Sequence, residues 1–409
     1  MHILYLHQYF TTPDRETHGS AGTRSYEFAR RLVGKGHTVE MITSDCSPQA
    51  DTPRGWYTTE EAGIRVHWLP VPYSNKKGFF TRVYAFLRFA IAAAFKAASL
   101  KGDIIFATST PLTIALPALY ARWRLRCPMV FEVRDLWPEA PRQLGVLTNP
   151  LLLYLAKRLE HTAYRKAAHI IGLSPGICEG IIATGISQEK VTLIPNASDL
   201  DHFHPDIDGS THRKALPDDS SLVLFYFGAL GLANGLDFVL DAAALLQKRR
   251  IDNIIFCLAG DGKEANHLQA RVETEGLTQV QFLGTVSKKD IAKRIAACDV
   301  ALTIFKNTPV LLETCSPNKF FDGLAAGKPI LTNMRGWIAD LVQEHDCGVV
   351  VEADNVDDFA DKVVYLRDHR DRLAEMGARS RACAERYFSR DSLAGQLESV
   401  LLKVHAERR

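Results

Sequence analysis

Residues 2–44, HILYLHQYFTTPDRETHGSAGTRSYEFARRLVGKGHTVEMITS, hold a strand, a glycine-bearing loop, a helix and a second strand in succession. HILYLHQYF (2–10) is a near-continuous apolar run, the pattern of a strand buried on both faces of a parallel sheet. The loop carries Gly19-Ser20-Ala21-Gly22. Thr23–Lys35 then reads as a helix, with Tyr26, Phe28, Ala29, Leu32 and Val33 on its apolar face and Gly36 as its stop. HTVEMITS (37–44) is the next strand. Further strands read at IRVHWL (64–69), DIIFATS (103–109), PMVFEVR (128–134), HIIGLS (169–174) and VTLIPN (191–196), most of them separated by helical sequence. Alternation of strand and helix predicts a parallel sheet covered on both faces.

A polar stretch, DGSTHRKALPDDSS (208–221), interrupts this pattern and reads as a linker. Beyond it the theme restarts with SLVLFYFG (221–228), a Gly-rich turn at 228–235 and a helix at 236–250. IIFCLAGDG (254–262), QVQFLG (279–284), DVALTIF (299–305), KPILTN (328–333) and CGVVVE (347–352) follow as strands, and helical sequence closes the chain. The expected fold is α/β, with two Rossmann-like doubly wound domains over 1–207 and 208–387. Open α/β sheets bind ligands outside the carboxyl ends of their strands. Two such sheets facing each other would make a cleft lined by strand-to-helix turns.

The composition of the 409 residues, 46% apolar and 23% charged, excludes disordered, collagen-like and coiled-coil chains. A net charge of +2 argues against a dedicated nucleic-acid binder. That sum hides an asymmetry: residues 1–205 carry 23 Lys/Arg against 17 Asp/Glu, the remainder 26 against 30. Eight cysteines include no C-x-x-C pair, so zinc-ribbon and redox motifs are absent. Met1–Leu6 has no basic region of a signal peptide. The most membrane-like stretch, 79–100, is interrupted by Arg82, Arg88 and Lys96, too often for a spanning helix. It reads instead as an amphipathic helix lying on anionic lipid, with Lys76, Lys77, Phe79, Phe80, Arg82 and Arg88 as contacts. A core-facing helix with a basic outer face is the competing reading.

Several motifs fail on chemistry. Gly172-Leu173-Ser174-Pro175-Gly176 matches a nucleophile elbow, but the N–H needed after the serine is absent at Pro175. Ser174 is expected to cap a helix opened by Pro175. Gly260-Asp261-Gly262-Lys263-Glu264-Ala265 matches a dinucleotide turn, yet the next strand ends in Gly284-Thr285-Val286 without an acid for the ribose. No phosphate loop of the G-x-x-x-x-G-K-[ST] type and no H-E-x-x-H or acidic metal cluster occurs.

Two segments carry more. In Cys315-Ser316-Pro317-Asn318-Lys319-Phe320-Phe321-Asp322, Ser316 and Pro317 read as the cap and first residue of a helix. N–H groups at 317–319 would meet a diphosphate, with Lys319 adding a formal charge and Asp322 a carboxylate for ribose hydroxyls. A surface helix with a Lys–Asp pair is the plainer alternative. Phe131-Glu132-Val133-Arg134-Asp135-Leu136-Trp137-Pro138-Glu139 ends a strand in charge, which is costly unless paired or used. A cleft wall with Arg134, Asp135 and Glu139 is one outcome and an interdomain salt-bridge cluster the other.

These blocks, together with FGALGLANGLDFVLDAA (227–243) and SPNKFFDGLAAGKPIL (316–331), resemble the GT-B fold glycosyltransferases of family 4 over essentially the whole chain. Within that family they are similar to the WbuB-like subgroup of O-antigen and capsular polysaccharide synthesis, associated with N-acetyl-L-fucosamine. The resemblance implies metal-independent, retaining transfer of a sugar from a nucleotide diphosphate, UDP first, to a polyprenyl-diphosphate-linked glycan. The work would be done at the inner, cytoplasmic face of the membrane, with no cofactor beyond the donor. It assigns Gly19, Gly22, Gly228, Asn234, Gly262, Val286, Ser316, Asn318 and Asp322 to the nucleotide sugar. Lys319, Arg134, Glu139 and Asp135 become the catalytic candidates. The closing helix, about 388–409, would return to the first domain.

The sequence departs from the family pattern at two cations, replaced by Ala229 and Asn234, and at a glutamate position occupied by Thr314, with Glu313 one residue out of register. A leaving diphosphate needs its charge met, so Lys319, helix N–H groups and Arg134 must carry more. The same losses leave an inactive sugar-binding or scaffold paralogue open; a GT-B sugar-nucleotide epimerase is a second alternative, matched poorly because the FEVRDLWPE block and the basic face suggest a membrane acceptor.

Overall fold

The computed structural model describes residues 1–13, 24–49, 52–73 and 78–407. The chain divides into two α/β units. Unit 1 comprises Met1–Pro195, Thr314–Ser316 and Asp391–Arg409; unit 2 comprises Asn196–Glu313 and Pro317–Arg390.

Among the described residues, the sheet of unit 1 has eight strands, β1 (His2–Leu6), β2 (Thr38–Asp45), β3 (Tyr57–Glu61), β4 (Ile64–Pro70), β5 (Ile104–Thr108), β6 (Met129–Val133), β7 (His169–Gly172) and β8 (Val191–Leu193). Their spatial order is β3-β4-β2-β1-β5-β6-β7-β8. All pairings are parallel except β3 with β4. The antiparallel edge strand β3, YTTEE, lies outside the sequence expectation because it has no apolar run to announce it. Its helices are α1 (Arg24–Gly34), α2 (Phe79–Ser99), α3 (Ala115–Leu125), α4 (Glu139–Gln143), α5 (Pro150–Lys166) and α6 (Pro175–Ala183). Phe89, Ala93, Ala118, Tyr164 and Ile177 from α2, α3, α5 and α6 share one core with Leu6, Ile105 and Phe131 of the sheet.

Unit 2 begins with a short helix α7 (Ser210–Lys214), inside the stretch expected to be a linker. Its six strands are β9 (Leu222–Phe227), β10 (Ile254–Ala259), β11 (Val280–Gly284), β12 (Val300–Thr303), β13 (Ile330–Thr332) and β14 (Gly348–Val350). They run parallel in the order β11-β10-β9-β12-β13-β14. The helices are α8 (Asp237–Lys248), α9 (Ala265–Glu275), α10 (Lys288–Ala297), α11 (Pro309–Thr314), α12 (Asn318–Ala325), α13 (Trp337–Glu344), α14 (Val356–Asp368) and α15 (Arg370–Tyr387). The last helix, α16 (Arg390–Ala406), belongs with unit 1 from Asp391 onward.

The division falls at 195/196 rather than at the expected 207/208. The physical reason lies in Arg381, whose guanidinium donates to the carbonyls of Leu200 (3.1 Å), Phe203 (2.8 Å) and Ala325 (2.7 Å), all in unit 2. Helix α16 buries Leu393, Leu397, Leu401 and Val404, and its Glu398 meets Lys35 (2.5 Å) and His37 (3.0 Å) of unit 1. Ser174 caps α6 by accepting the N–H of Ile177 at 3.1 Å, with Pro175 at the first helical position. All eight cysteines are free thiols, five of them buried.

Glycines mark the carboxyl edge of unit 2, where strands turn into loops. Gly260 follows β10 at φ +142°, and a Cβ there would run into the carbonyl oxygen of Gly228. Gly145, at φ +69°, has open space around a built Cβ. Gly260→Ala is therefore expected to cost more than about 2 kcal/mol, from backbone strain plus a displaced loop. Gly145→Ala should cost only about 1 kcal/mol, from the left-handed backbone alone. Urea midpoints of the two variants measure the difference.

Candidate functional site

In unit 2 the site candidates gather around the start of α12. This helix begins at Asn318, with Pro317 in the capping position and no side-chain cap bond. The sequence reading is corrected here: Ser316 lies outside the helix, and Pro317, lacking an N–H by its chemistry, cannot serve an anion. The Phe320 N–H closes on the Pro317 carbonyl at 3.1 Å. Of the N–H groups expected over 317–319, those of Asn318 and Lys319 are the chemically possible ones.

Lys319 reaches from α12 to the loop after β9. Its Nζ donates to Tyr226 Oη at 2.9 Å and to Asn234 Oδ1 at 2.8 Å. Tyr226 Oη donates onward to the Ala229 carbonyl at 2.7 Å, and Asn234 Nδ2 to the same carbonyl at 2.8 Å. The ammonium also lies 4.1 Å from the Tyr226 ring centroid and 4.8 Å from that of Phe305. Aromatic faces attract a cation by their quadrupole, so two acceptors and two rings fix this charge in place. Burial pushes the Tyr226 hydroxyl well above its ordinary pKa, so it stays a neutral donor. Gly228, at φ +138°, packs beside the Lys319 chain. Asn234 occupies a position where the family pattern has a cation, and Lys319 brings a cation to that same side chain.

Asp322, one turn along α12, accepts the buried Ser198 hydroxyl at 2.9 Å. Gly262 follows β10, its N–H held by Asp261 Oδ1 at 2.7 Å. Val286 is half-buried just after β11. Gly19 and Gly22 lie outside the described residues, as do Lys76 and Lys77.

In unit 1 the charged end of β6 is a buried ion cluster that extends beyond the residues expected. Glu132 has no exposed surface. It accepts from Arg24 Nε (2.9 Å), Arg134 Nε (3.0 Å) and Thr108 Oγ1 (2.5 Å). Arg134 also donates to Thr108 Oγ1 (2.8 Å) and Ser25 Oγ (2.7 Å). Arg24 donates to the carbonyls of Ile194 and Pro195, which ties the first residue of α1 to the end of unit 1. Burial alone would raise the Glu132 pKa; the charges of Arg24 and Arg134, with the bonds from Arg24 and Thr108, hold it down at about 2. For Arg24 burial prevails over the Glu132 charge and lowers its pKa. His7, buried near Arg134, is kept neutral by burial and by that positive charge.

Asp135 is half-buried; desolvation raises its carboxyl pKa against the Thr110 hydroxyl at 3.3 Å and the Arg134 charge. Glu139 sits apart, at the start of α4, holding Arg142 (2.9 and 2.5 Å) and Gln143 (2.6 Å). Arg134 and Asp135 are thus in one cluster, while Glu139 is engaged by its own helix. Arg24, Ser25, Thr108 and Glu132 escaped sequence reasoning. The available signal was Glu132 itself, a charge inside the apolar run of β6.

Two family profiles match the chain: the Glycosyl transferase 4-like domain over residues 19–197, and Glycosyl transferases group 1 over residues 209–382. The chain belongs to the family 4 glycosyltransferases of the GT-B type. A relative from Escherichia coli K12, named for colanic acid biosynthesis as the glycosyl transferase WcaI, is 24% identical over 322 residues, 75% of this chain and 77% of its own. An E. coli UDP-Gal:alpha-D-GlcNAc-diphosphoundecaprenol alpha-1,3-galactosyltransferase is 28% identical over 185 residues, 44% of this glycosyltransferase and 46% of its own. Among solved structures, sucrose-phosphate synthase from Thermosynechococcus elongatus has a TM-score of 0.80 at 18% identity, covering 99% of each chain. Anabaena HepE, solved with UDP and glucose, has a TM-score of 0.71 at 19% identity, covering 98% of this chain and 100% of its own. These likenesses establish the fold, and the family profiles with the relatives' names support a glycosyltransferase.

The Glu132 carboxylate has a lower pKa folded than its ordinary 4.5, so its contribution is complete above pH 4.5 and is lost as pH falls toward 2. That contribution is on the order of 3 kcal/mol. Glu132→Gln leaves the buried Arg24 and half-buried Arg134 guanidiniums without this counter-charge and is expected to cost about 3–5 kcal/mol at pH 7. Its stability should then vary less than the wild type's between pH 5 and pH 3 (~2 units). Denaturant midpoints across that range check both statements.

Proposed function

We propose that this glycosyltransferase moves a sugar from a UDP-sugar to a polyprenyl-diphosphate-linked glycan, with retention of anomeric configuration, in bacterial surface-polysaccharide synthesis. The observation that carries this reading is the Lys319 ammonium fixed by Tyr226 and Asn234 beside the first turn of α12. Departure of UDP puts negative charge on its diphosphate, and a preorganised cation is most effective where charge develops. Lys319 and the N–H groups of Asn318 and Lys319 fill this role without a metal. Asp322 receives ribose hydroxyls, Val286 lies against the base, and Gly228 and Gly262 let backbone approach the donor.

Arg134 and Asp135 belong to the acceptor side in this reading, with Glu132 setting the Arg134 guanidinium. Glu139, engaged by Arg142, is given no proton to move. The galactosyltransferase relative supports a UDP donor and a diphosphate-lipid acceptor through its own name. An N-acetylated deoxyhexosamine such as N-acetyl-L-fucosamine is the sugar favoured by likeness to the WbuB-like subgroup. An acceptor of this kind places the enzyme peripherally at the inner face of the cell membrane.

A UDP-sugar near a hundredfold its Kd should raise Tm by roughly 5 °C, with GDP- and dTDP-sugars giving less. No shift with any of them would contradict the reading. Lys319→Ala should reduce turnover by at least about tenfold, the scale of losing one charge-stabilising donor. Near-wild-type turnover would remove Lys319 from the mechanism.

A further inference from the structure

Large apolar side chains left in water are concentrated on three helices of unit 1. On α2, Tyr84, Leu87, Ile91 and Phe95 recur at spacings of three and four and so form one stripe; Ile91 and Phe95 are 60% and 65% exposed. Helix α3 adds Leu116 and Trp123, the latter 69% exposed. The rings of Phe95, Tyr120 and Trp123 succeed one another at 5.8 Å and bridge α2 to α3. Helix α5 adds Leu151, Tyr154 and Leu155. α2 packs on α3 and α3 on α5, and their buried faces enter one core, so their outer faces make one surface. Scattered exposed apolar residues are ordinary, whereas a contiguous set marks an interaction site.

Charge identifies the occupant. The three helices hold nine Lys and Arg residues against one acid, Glu160, while the whole chain is balanced at 49 against 47. Burial, opposed by the Tyr164 hydroxyl and Lys157, pushes the Glu160 carboxyl up to about 7, which weakens even that one negative charge. Arg88, Arg124 and Arg158 are exposed beside the stripes of α2, α3 and α5. A second copy of this face would bring like charges together. Aromatic and aliphatic side chains interleaved with guanidiniums match the boundary between anionic headgroups and acyl chains. Among the described residues no helix is long and apolar enough to cross a membrane, so attachment by this face would be lateral.

We propose that α2, α3 and α5 together form the docking face for an anionic lipid bilayer, with the rings and leucines in the headgroup layer and the arginines on phosphates. This rests on the reading of a lipid-linked acceptor and gives it a surface. Arg82, two residues before Tyr84, falls on the other side of α2 and has no place in it.

The test uses the full chain, without donor or acceptor, co-sedimented with vesicles of phosphatidylcholine and phosphatidylglycerol in equal parts, or of phosphatidylcholine alone. The expected result is binding to the mixed vesicles that weakens with salt. Ile91→Glu/Phe95→Glu/Trp123→Glu should reduce it by at least roughly tenfold. Arg88→Glu/Arg124→Glu/Arg158→Glu should do so on the anionic vesicles. These positions are exposed, and an unchanged Tm with an unchanged UDP-sugar shift verifies the fold. Absence of wild-type binding, binding untouched by the apolar triple variant, or a dimer in sedimentation velocity that this variant dissolves would each overturn the proposal. Vesicle binding without any nucleotide-sugar shift would sink the transfer reading and leave the docking face standing.

Discussion

Among the described residues every strand in both sheets, β3 excepted, runs parallel to its neighbours. That direction is the constraint on which the rest depends. A parallel sheet brings all its strand carboxyl ends to one edge, where residues distant in sequence become neighbours. Tyr226, Asn234 and Lys319 meet in this way in unit 2, and Arg24, Thr108, Glu132 and Arg134 in unit 1. Apolar strands supply the burial, and the edge supplies the chemistry.

The two clusters solve opposite electrostatic problems. In unit 1 a carboxylate without solvent is held ionised by two guanidiniums and a hydroxyl. Such an arrangement is costly to desolvate but more costly to break, and it locks β5, β6 and the start of α1 together. In unit 2 the Lys319 ammonium is held by two neutral acceptors, Tyr226 and Asn234, and by two ring faces. The amide and hydroxyl dipoles and the ring quadrupoles fix where that charge sits, and a charge held in place needs no reorganisation to meet a developing anion.

The strands and the doubly wound pattern were legible because buried parallel strands are written as apolar runs. β3 was not, since a half-exposed edge strand of Tyr, Thr and Glu has no such run. Lys319 and Asp322 stood out in the sequence as a cation and a carboxylate near a helix start, and Asn234 through the family pattern, but the contact of Lys319 with Tyr226 spans 93 residues and reads locally as core. Arg24 and Glu132 lie 108 residues apart, and nothing in either neighbourhood names the other. The start of α12 was misplaced by one residue because Ser-Pro is a good cap signal that local geometry did not follow. On α2 the basic and aromatic composition was legible, but not which face stays in water: the exposed stripe is Tyr84, Leu87, Ile91 and Phe95, and Trp123 and Leu151 join it only through packing.

The central claim is that unit 2 holds a nucleoside diphosphate between the loop after β9 and the start of α12. Hydrogen–deuterium exchange on the full chain, with and without saturating UDP, tests it most directly. The account predicts slowed exchange confined chiefly to residues 228–235 and 316–322. Bound UDP that leaves both segments unchanged, or protects only unit 1, would contradict it.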